Sequence, residues 1–275
     1  MFKFASVNKY SLLNLASSSL YCSHYETFND PFECWCMEHS GFPDPLEDHD
    51  RFLEVIAAWG FSPDNEDMAL ENYHDYALSL EDAQPNVQYF IDSARISCFC
   101  ANAENLLMWA HYGDGLRGFC IEFDEDEILK NNEHKAFLYG VEYQKSPPVV
   151  DTAIYAVADD QFWFHTENLP SDPGFQHAAE TARKLLIALY KKMLATKPLD
   201  WQYEREMRLI FHTEQKGKEG CDFKYSNASV KSIIVGEKMT STHRSELEAI
   251  LFRIGLNVSI KTARRARSSY NVILE

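Results

Sequence analysis

The chain has 275 residues, enough to bury one substantial core, and its composition predicts a single domain, residues 1–275, carrying a helical insertion. A formal net charge of −16 argues against binding nucleic acid through nonspecific phosphate contacts, which need clustered Lys and Arg. No apolar run reaches the about 18 residues of a membrane span, so no membrane partner is expected. Seven cysteines, an odd number without secretory context, predict reduced thiols in the cytoplasm.

In chain order, residues 2–7 and 20–23 read as short strands flanking a helical turn that begins near Asn8 or Ser11. The start is expected to be a first strand, not a signal peptide. A loop follows at 27–33, where Pro31 fixes its own φ and pushes Asp30 away from helix. Residues 42–94 are the most acidic part. Within them 51–59 and 67–80 predict amphipathic helices of an insertion. Residues 95–100 alternate as a strand, and Asn102 is expected to cap a helix running to about Tyr112. Residues 117–123 and 137–143 read as strands, whereas 147–173 carry no clear period.

Phe175, Ala178, Ala182, Leu185, Leu189 and Met193 predict a helix over 175–194, stopped before Pro198. Ser232 to Val235 reads as a buried strand ending at Gly236. Thr240 or Ser241 then caps a helix through Ile254, and 257–261 and 269–274 close the sheet. Mixed order without regular β-α-β alternation predicts an α+β fold with a mixed or largely antiparallel sheet.

Residues 201–210, Trp-Gln-Tyr-Glu-Arg-Glu-Met-Arg-Leu-Ile, carry the most chemistry. Read as one strand, alternation puts Glu204, Glu206 and Arg208 on one face and Tyr203, Met207 and Leu209 on the core side. Two carboxylates roughly 7 Å apart repel unless a cation, a substrate or a proton offsets the charge. The segment is then either a solvated edge strand with Arg208 pairing the glutamates, or an active-site strand.

Other candidates each have two readings. Trp109 is a core residue or an aromatic platform, with Tyr112, for a planar ligand. His111 is a satisfied histidine or a phosphate or ribose contact. The 28–33 loop either presents Asn29 and Asp30 to a cleft or plugs the sheet with Phe28 and Phe32. Cys34 with Cys36, and Cys98 with Cys100, lack the Cys-x₂-Cys knuckle of a strong zinc site and read as free thiols; no metal is expected. Lys261, Arg264, Arg265 and Arg267 form a solvated face or an anion contact. The glycine-rich dinucleotide and phosphate loops, the nucleophile elbow and the zincin helix are all missing from the sequence.

Six blocks, at 28–33, 96–100, 107–112, 118–123, 201–210 and 233–236, occur in an order that resembles the bacterial domain-of-unknown-function family 2971. The layout is also similar to ADP-ribosyltransferases. That resemblance implies a split-sheet fold of that type, with helical insertions. It further implies a cofactor-contacting residue on the first strand, an aromatic or Ser on the second, and a catalytic glutamate on a late strand. Lys3, then Tyr21 and Ser23, then Glu206 match those positions, and Glu204-Arg205-Glu206 matches the Glu-x-Glu signature of arginine-modifying members. Lys3 departs from the usual Arg or His.

The resemblance implies an NAD-consuming transferase or glycohydrolase of toxin or phage-defence type, acting on a nucleic acid or protein acceptor, with an antitoxin as a possible partner. In that chemistry Glu206 orients the ribose and stabilises the oxocarbenium-like transition state, and Glu204 accepts the proton of the incoming nucleophile. Arg208 keeps the pair ionised; Asn29, Trp109, His111 and Tyr112 complete the cofactor contacts. The alternatives are a noncatalytic nucleotide- or protein-binding module, and a metal-dependent nuclease or hydrolase using Glu204, Glu206 and His111.

Overall fold

Strand β1 (Phe2–Ala5) leads into helix α1 (Lys9–Ala16), which Asn8 caps by accepting from the Tyr10 and Ser11 amides. Strands β2 (Ser19–Cys22) and β3 (Met37–His39) precede helices α2 (His49–Trp59), α3 (Glu66–Ser79) and α4 (Val87–Ser93). Next come β4 (Ala94–Cys100), α5 (Leu106–His111), β5 (Phe119–Phe123), α6 (Glu125–Ile128), β6 (Phe137–Gly140), β7 (Glu142–Gln144) and β8 (Val149–Asp151). Two long helices, α7 (Thr152–Asn168) and α8 (Pro173–Leu194), are followed by β9 (Thr196–Pro198), β10 (Glu206–His212), β11 (Cys221–Lys224) and β12 (Val230–Gly236). Helix α9 (Ser241–Arg253), capped by Thr240, and strands β13 (Ser259–Arg265) and β14 (Val272–Leu274) end the chain. The computed structural model describes residues 1–130, 134–168, 171–215 and 217–275.

Three expectations change. Asn105, not Asn102, caps α5, because its Oδ1 takes the Leu107 and Met108 amides, while Asn102 Oδ1 is used by the Glu104 amide. The region without a period contains α7, whose first turns from Thr152 to Ala158 are mostly buried and so show no polar face. The third is the glutamate segment. Residues Leu199–Glu204 form a 3-10 turn, and Arg205 adopts a left-handed φ of 45° before β10 begins at Glu206. A strand cannot run through that reversal, so alternation does not relate Glu204 to Glu206.

The described chain divides into two compact units. The first comprises Met1–Glu33, Asp92–Tyr143 and Lys197–Glu275. Its main sheet has eight strands in the order β14-β13-β12-β5-β1-β4-β10-β6, antiparallel except for β12 beside β13. That mixed direction, with the helices, makes the fold mixed α and β of the α+β kind. Alternation sorts the core into two layers. Phe119, Ile121, Phe123, Ile233 and Val235 face one layer with Leu209, Phe211 and Leu247, while Phe4, Cys120 and Ile234 face the other with Trp109. Strand β12 is buried on both faces, which explains its continuous apolar run, and it ends at Gly236, where a Cβ would lie 2.2 Å from the Leu116 carbonyl oxygen.

The second unit comprises Cys34–Ile91 and Gln144–Thr196, so the acidic stretch 42–94 falls in its first segment except for its last three residues, which belong to the first unit. Its core gathers Phe52, Val55 and Ile56 of α2, Ala69 and Tyr73 of α3, and Ala153, Ala156 and Val157 of α7. Strands β3 and β8 pair in parallel beside it. No helix among the described residues is long and apolar enough to cross a membrane.

Candidate functional site

The eight-stranded sheet opens between β1 and β4. Strand β1 pairs with β5 from Phe2 to Ala5, but it meets β4 at Phe2↔Cys100. Further along β4, Ser23 takes over: its amide and carbonyl exchange 2.9 Å hydrogen bonds with Ile96. Between those points Lys3 Nζ donates to the Cys98 carbonyl and to Ser97 Oγ, both at 2.9 Å. A side-chain ammonium thus satisfies a ladder carbonyl that the diverging strand leaves behind.

The opening forms a cavity of about 180 Å³. Phe2, Phe4, Phe28, Phe99, Ile96 and Met108 supply its apolar wall; Lys3, Tyr21, Ser23, Asn29, Tyr112, Lys197, Glu33, Glu204 and Glu206 supply its polar atoms, with Cys98 on β4. By volume it is comparable with the ~150 Å³ void that accepts a benzene ring.

One side of the cavity is a buried charge cluster. Lys197 Nζ donates to Glu204 Oε2 at 2.7 Å and to Glu206 Oε2 at 3.0 Å, and lies 3.9 Å from Glu33 Oε2. Arg208 Nε donates to Glu206 Oε1 at 2.8 Å, and its Nη2 lies 2.6 Å from Glu33 Oε1. Tyr112 Oη donates to Glu204 Oε1 at 2.7 Å, and the Glu206 amide donates to Tyr143 Oη at 2.8 Å. Glu33, Glu204, Glu206, Lys197 and Arg208 are all buried. Charges this deep persist only when paired and hydrogen-bonded, a condition each of them meets.

Three carboxylates share two cations, and the shares are unequal. Burial opposes ionisation of Glu206, but Arg208 and Lys197 together outweigh it and hold its carboxyl down at about 2. Burial wins at Glu33 and pushes its carboxyl up against the pull of Arg208 and Lys197. Lys197 is held protonated: the three glutamates outweigh its burial and raise it. The Tyr112 phenol is pushed up by burial and by its hydrogen bond to Glu204, and burial with the nearby Glu206 charge raises the Cys98 thiol. At neutral pH the cavity therefore presents a fixed Glu206 carboxylate beside neutral Tyr112 and Cys98. Such a group can accept a ligand hydroxyl and stabilise positive charge.

Of the residues singled out from sequence, Lys3, Tyr21, Ser23, Asn29, Tyr112, Glu204 and Glu206 line this cavity. Arg208 sits behind it, fully buried on Glu206. Strand β10 lies between β4 and β6, so the solvated edge-strand reading is wrong. Trp109 is core: its ring is fully buried edge-on to Phe4, and its Nε1 donates to the Ala103 carbonyl. His111 is exposed near Tyr203, away from the cavity lining. In the 28–33 loop Phe28, Asn29 and Glu33 reach the cavity, whereas Phe32 is exposed. All seven cysteines are free.

Lys197 and Glu33 were not expected at the site. The available signal for Lys197 was a lone cation in the otherwise uncharged run from Met193 to Leu199. Glu33 closes the first sequence block, but nothing local shows that it turns inward.

Residues 108–209 match the model of the family described as Protein of unknown function (DUF2971). Over that span the chain is similar to this family. The DUF2971 segment carries Tyr112, Lys197, Glu204, Glu206 and Arg208, while the blocks at 28–33, 96–100 and 233–236 lie outside it. No curated protein matches the chain, and no solved structure matches it.

Proposed function

We propose that this chain is an NAD-consuming enzyme of ADP-ribosyltransferase-like type, a transferase or glycohydrolase acting in the β1/β4 opening. The observation that carries the reading is the convergence on one cavity of Lys3 from the first strand, Tyr21 from the second with Ser23 just after it, and Glu206 from a late strand. An opening between two sheet strands is also what the split-sheet resemblance implies.

A cavity of about 180 Å³ suits one planar ring, so the nicotinamide end enters and the rest of NAD lies outside. The bond between ribose C1′ and the pyridinium nitrogen breaks, and nicotinamide leaves neutral with the bonding pair. Glu206, ionised throughout the physiological range, accepts a ribose hydroxyl and faces the developing positive charge. Water or an acceptor N–H or O–H adds to C1′ and gives its proton to Glu204, whose Oε1 already holds Tyr112 Oη. The acceptor is a protein or nucleic acid, in keeping with a cytoplasmic toxin or phage-defence effector that an antitoxin restrains.

Incubation of the purified chain with NAD is expected to release nicotinamide, and Glu206→Gln to lower that release by about 10²–10³ with the fold intact. Release at the parent rate by the folded variant ends this reading.

One observation favours a noncatalytic binding module instead. Every oxygen of Glu204 and Glu206 already holds a donor from Lys197, Arg208 or Tyr112, as in a structural network. Calorimetric binding of NAD without nicotinamide release supports that alternative. The metal-dependent reading has less support. His111 is exposed, Lys197 Nζ lies between the glutamates, and the described residues contain no group of three His, Cys, Asp or Glu positioned to hold a metal.

A further inference from the structure

Helix α3 carries two apolar stripes, and the core of the second unit uses one. Ala69 and Tyr73 pack into that core with Tyr76 and Leu80. Leu70 and Leu78, 41% and 55% exposed, lie with Ala77 along a second face. That face and the loop carrying Phe42, Pro43 and Pro45 line an open groove of about 520 Å³. Sites that hold a ligand typically fall within about 300–1,000 Å³.

The groove is already formed. Tyr73 Oη donates to the Pro43 carbonyl at 2.9 Å, and the Gly41 amide donates to Gln84 Oε1 at 2.9 Å, so the loop is fastened to the helical side at two points. Binding would cost little reorganisation of its walls.

The segment that forms the groove is charged almost wholly with one sign. Residues 34–91 hold thirteen Asp and Glu but one basic residue, Arg51. Arg51 is itself held by Asp151, with its Nε 2.5 Å from Oδ2. Asp44 and Glu81 stand in the groove lining, and both are exposed. The segment that builds the groove therefore carries a strong negative excess, and two of its carboxylates stand in the lining itself.

We propose that this groove docks an amphipathic helix of a partner protein, with aliphatic side chains in the trough and Lys or Arg on its flanks. Apolar anchors spaced at i, i+3, i+4 and i+7 fit a groove of this kind, and an acidic rim selects basic partners and speeds their association. The proposal is independent of the NAD reading, because every residue it uses belongs to the second unit.

The test titrates the full chain into a fluorescently labelled Leu/Lys peptide of about five helical turns, ~18 residues, read by anisotropy. A scrambled peptide of identical composition is the control for nonspecific attraction. The helical-pattern peptide is expected to bind at least about 10-fold tighter than the scramble, and salt is expected to weaken binding. Leu70→Ser with Leu78→Ser is expected to lower affinity by about 10-fold or more, with an unchanged circular dichroism spectrum. Should that double variant misfold, Glu81→Lys on the exposed rim serves as the second test, with about 3-fold weakening expected. Equal affinity for the scramble, or unchanged affinity in the folded variants, overturns the proposal. So does a dimer in solution that the Leu70→Ser, Leu78→Ser pair dissolves, since the groove would then belong to a second copy of this chain.

Discussion

Lys197 Nζ lies 3.0 Å from Glu206 Oε2 in a site where neither side chain is more than 4% exposed. The same ammonium bonds Glu204, so one cation joins the 3-10 turn to the strand that follows it. The pairing fixes where both carboxylates point and helps hold Glu206 ionised beside the cavity.

Removing that cation leaves two buried carboxylates short of a partner. Lys197→Met is expected to cost about 3–5 kcal/mol of stability, the range for breaking a buried ion pair from one side. Urea denaturation measures it. A loss below about 1 kcal/mol, within the range of exposed pairs, would show that the cluster is solvated.

Glu206 makes stability depend on pH in a predictable direction. Its folded carboxyl sits at about 2 against an ordinary 4.5, so its contribution is present above pH 4.5 and is lost as pH falls toward 2. The full difference is about 3 kcal/mol. Glu33 has the opposite sign: raised when folded, it favours the native state at low pH and ceases to as pH rises through its folded value. Denaturation of the parent and Glu206→Gln across pH 3 to 6 is expected to show a shallower acid loss in the variant. Parallel curves would contradict the assignment.

Two neighbouring residues on and after α5 are expected to behave differently. Tyr112→Phe removes the donor to Glu204 Oε1 and is expected to lower nicotinamide release by about 10-fold, as losing a hydrogen bond to a charged group does. His111→Ala, at an exposed position outside the cavity lining, is expected to change it by less than about 2-fold. Initial rates at saturating NAD decide between them, and equal losses would return His111 to the site.

Lys3 holds the sheet opening. Lys3→Met leaves the Cys98 carbonyl without that donor, which is expected to cost about 1–3 kcal/mol and to speed amide hydrogen exchange at β4. Unchanged exchange at Cys98 and Phe99 would mean that the two strands close without it.

Local signals made much of the fold legible. Asn8 announces α1 because an Asn before a helical stretch satisfies its free amides, and Thr240 does the same for α9. Alternation in β4 and the apolar run of β12 mark strands because burial on one or both faces writes a period into the chain. Helix α7 stayed hidden because its first turns are buried almost all round.

The candidate site was legible in its members and misread in its geometry. Glu204 and Glu206 stand out as two carboxylates in an otherwise core-like segment, and both face the cavity. The reason given for their meeting was a shared strand face; Arg205 breaks that strand, and Lys197 brings them together instead.

What the residue order determined alone was the capped starts of α1 and α9, the strands β4 and β12, and which polar groups stand in apolar surroundings, because those depend on near neighbours. Where β1 parts from β4, that Trp109 turns into the core while Tyr112 turns to the cavity, and that Glu33 and Lys197 converge on Glu206 and Arg208 were decided by the tertiary structure. Those are contacts across large separations in sequence, and the pairing of a buried charge is settled only when the chain has brought its partner within hydrogen-bond distance.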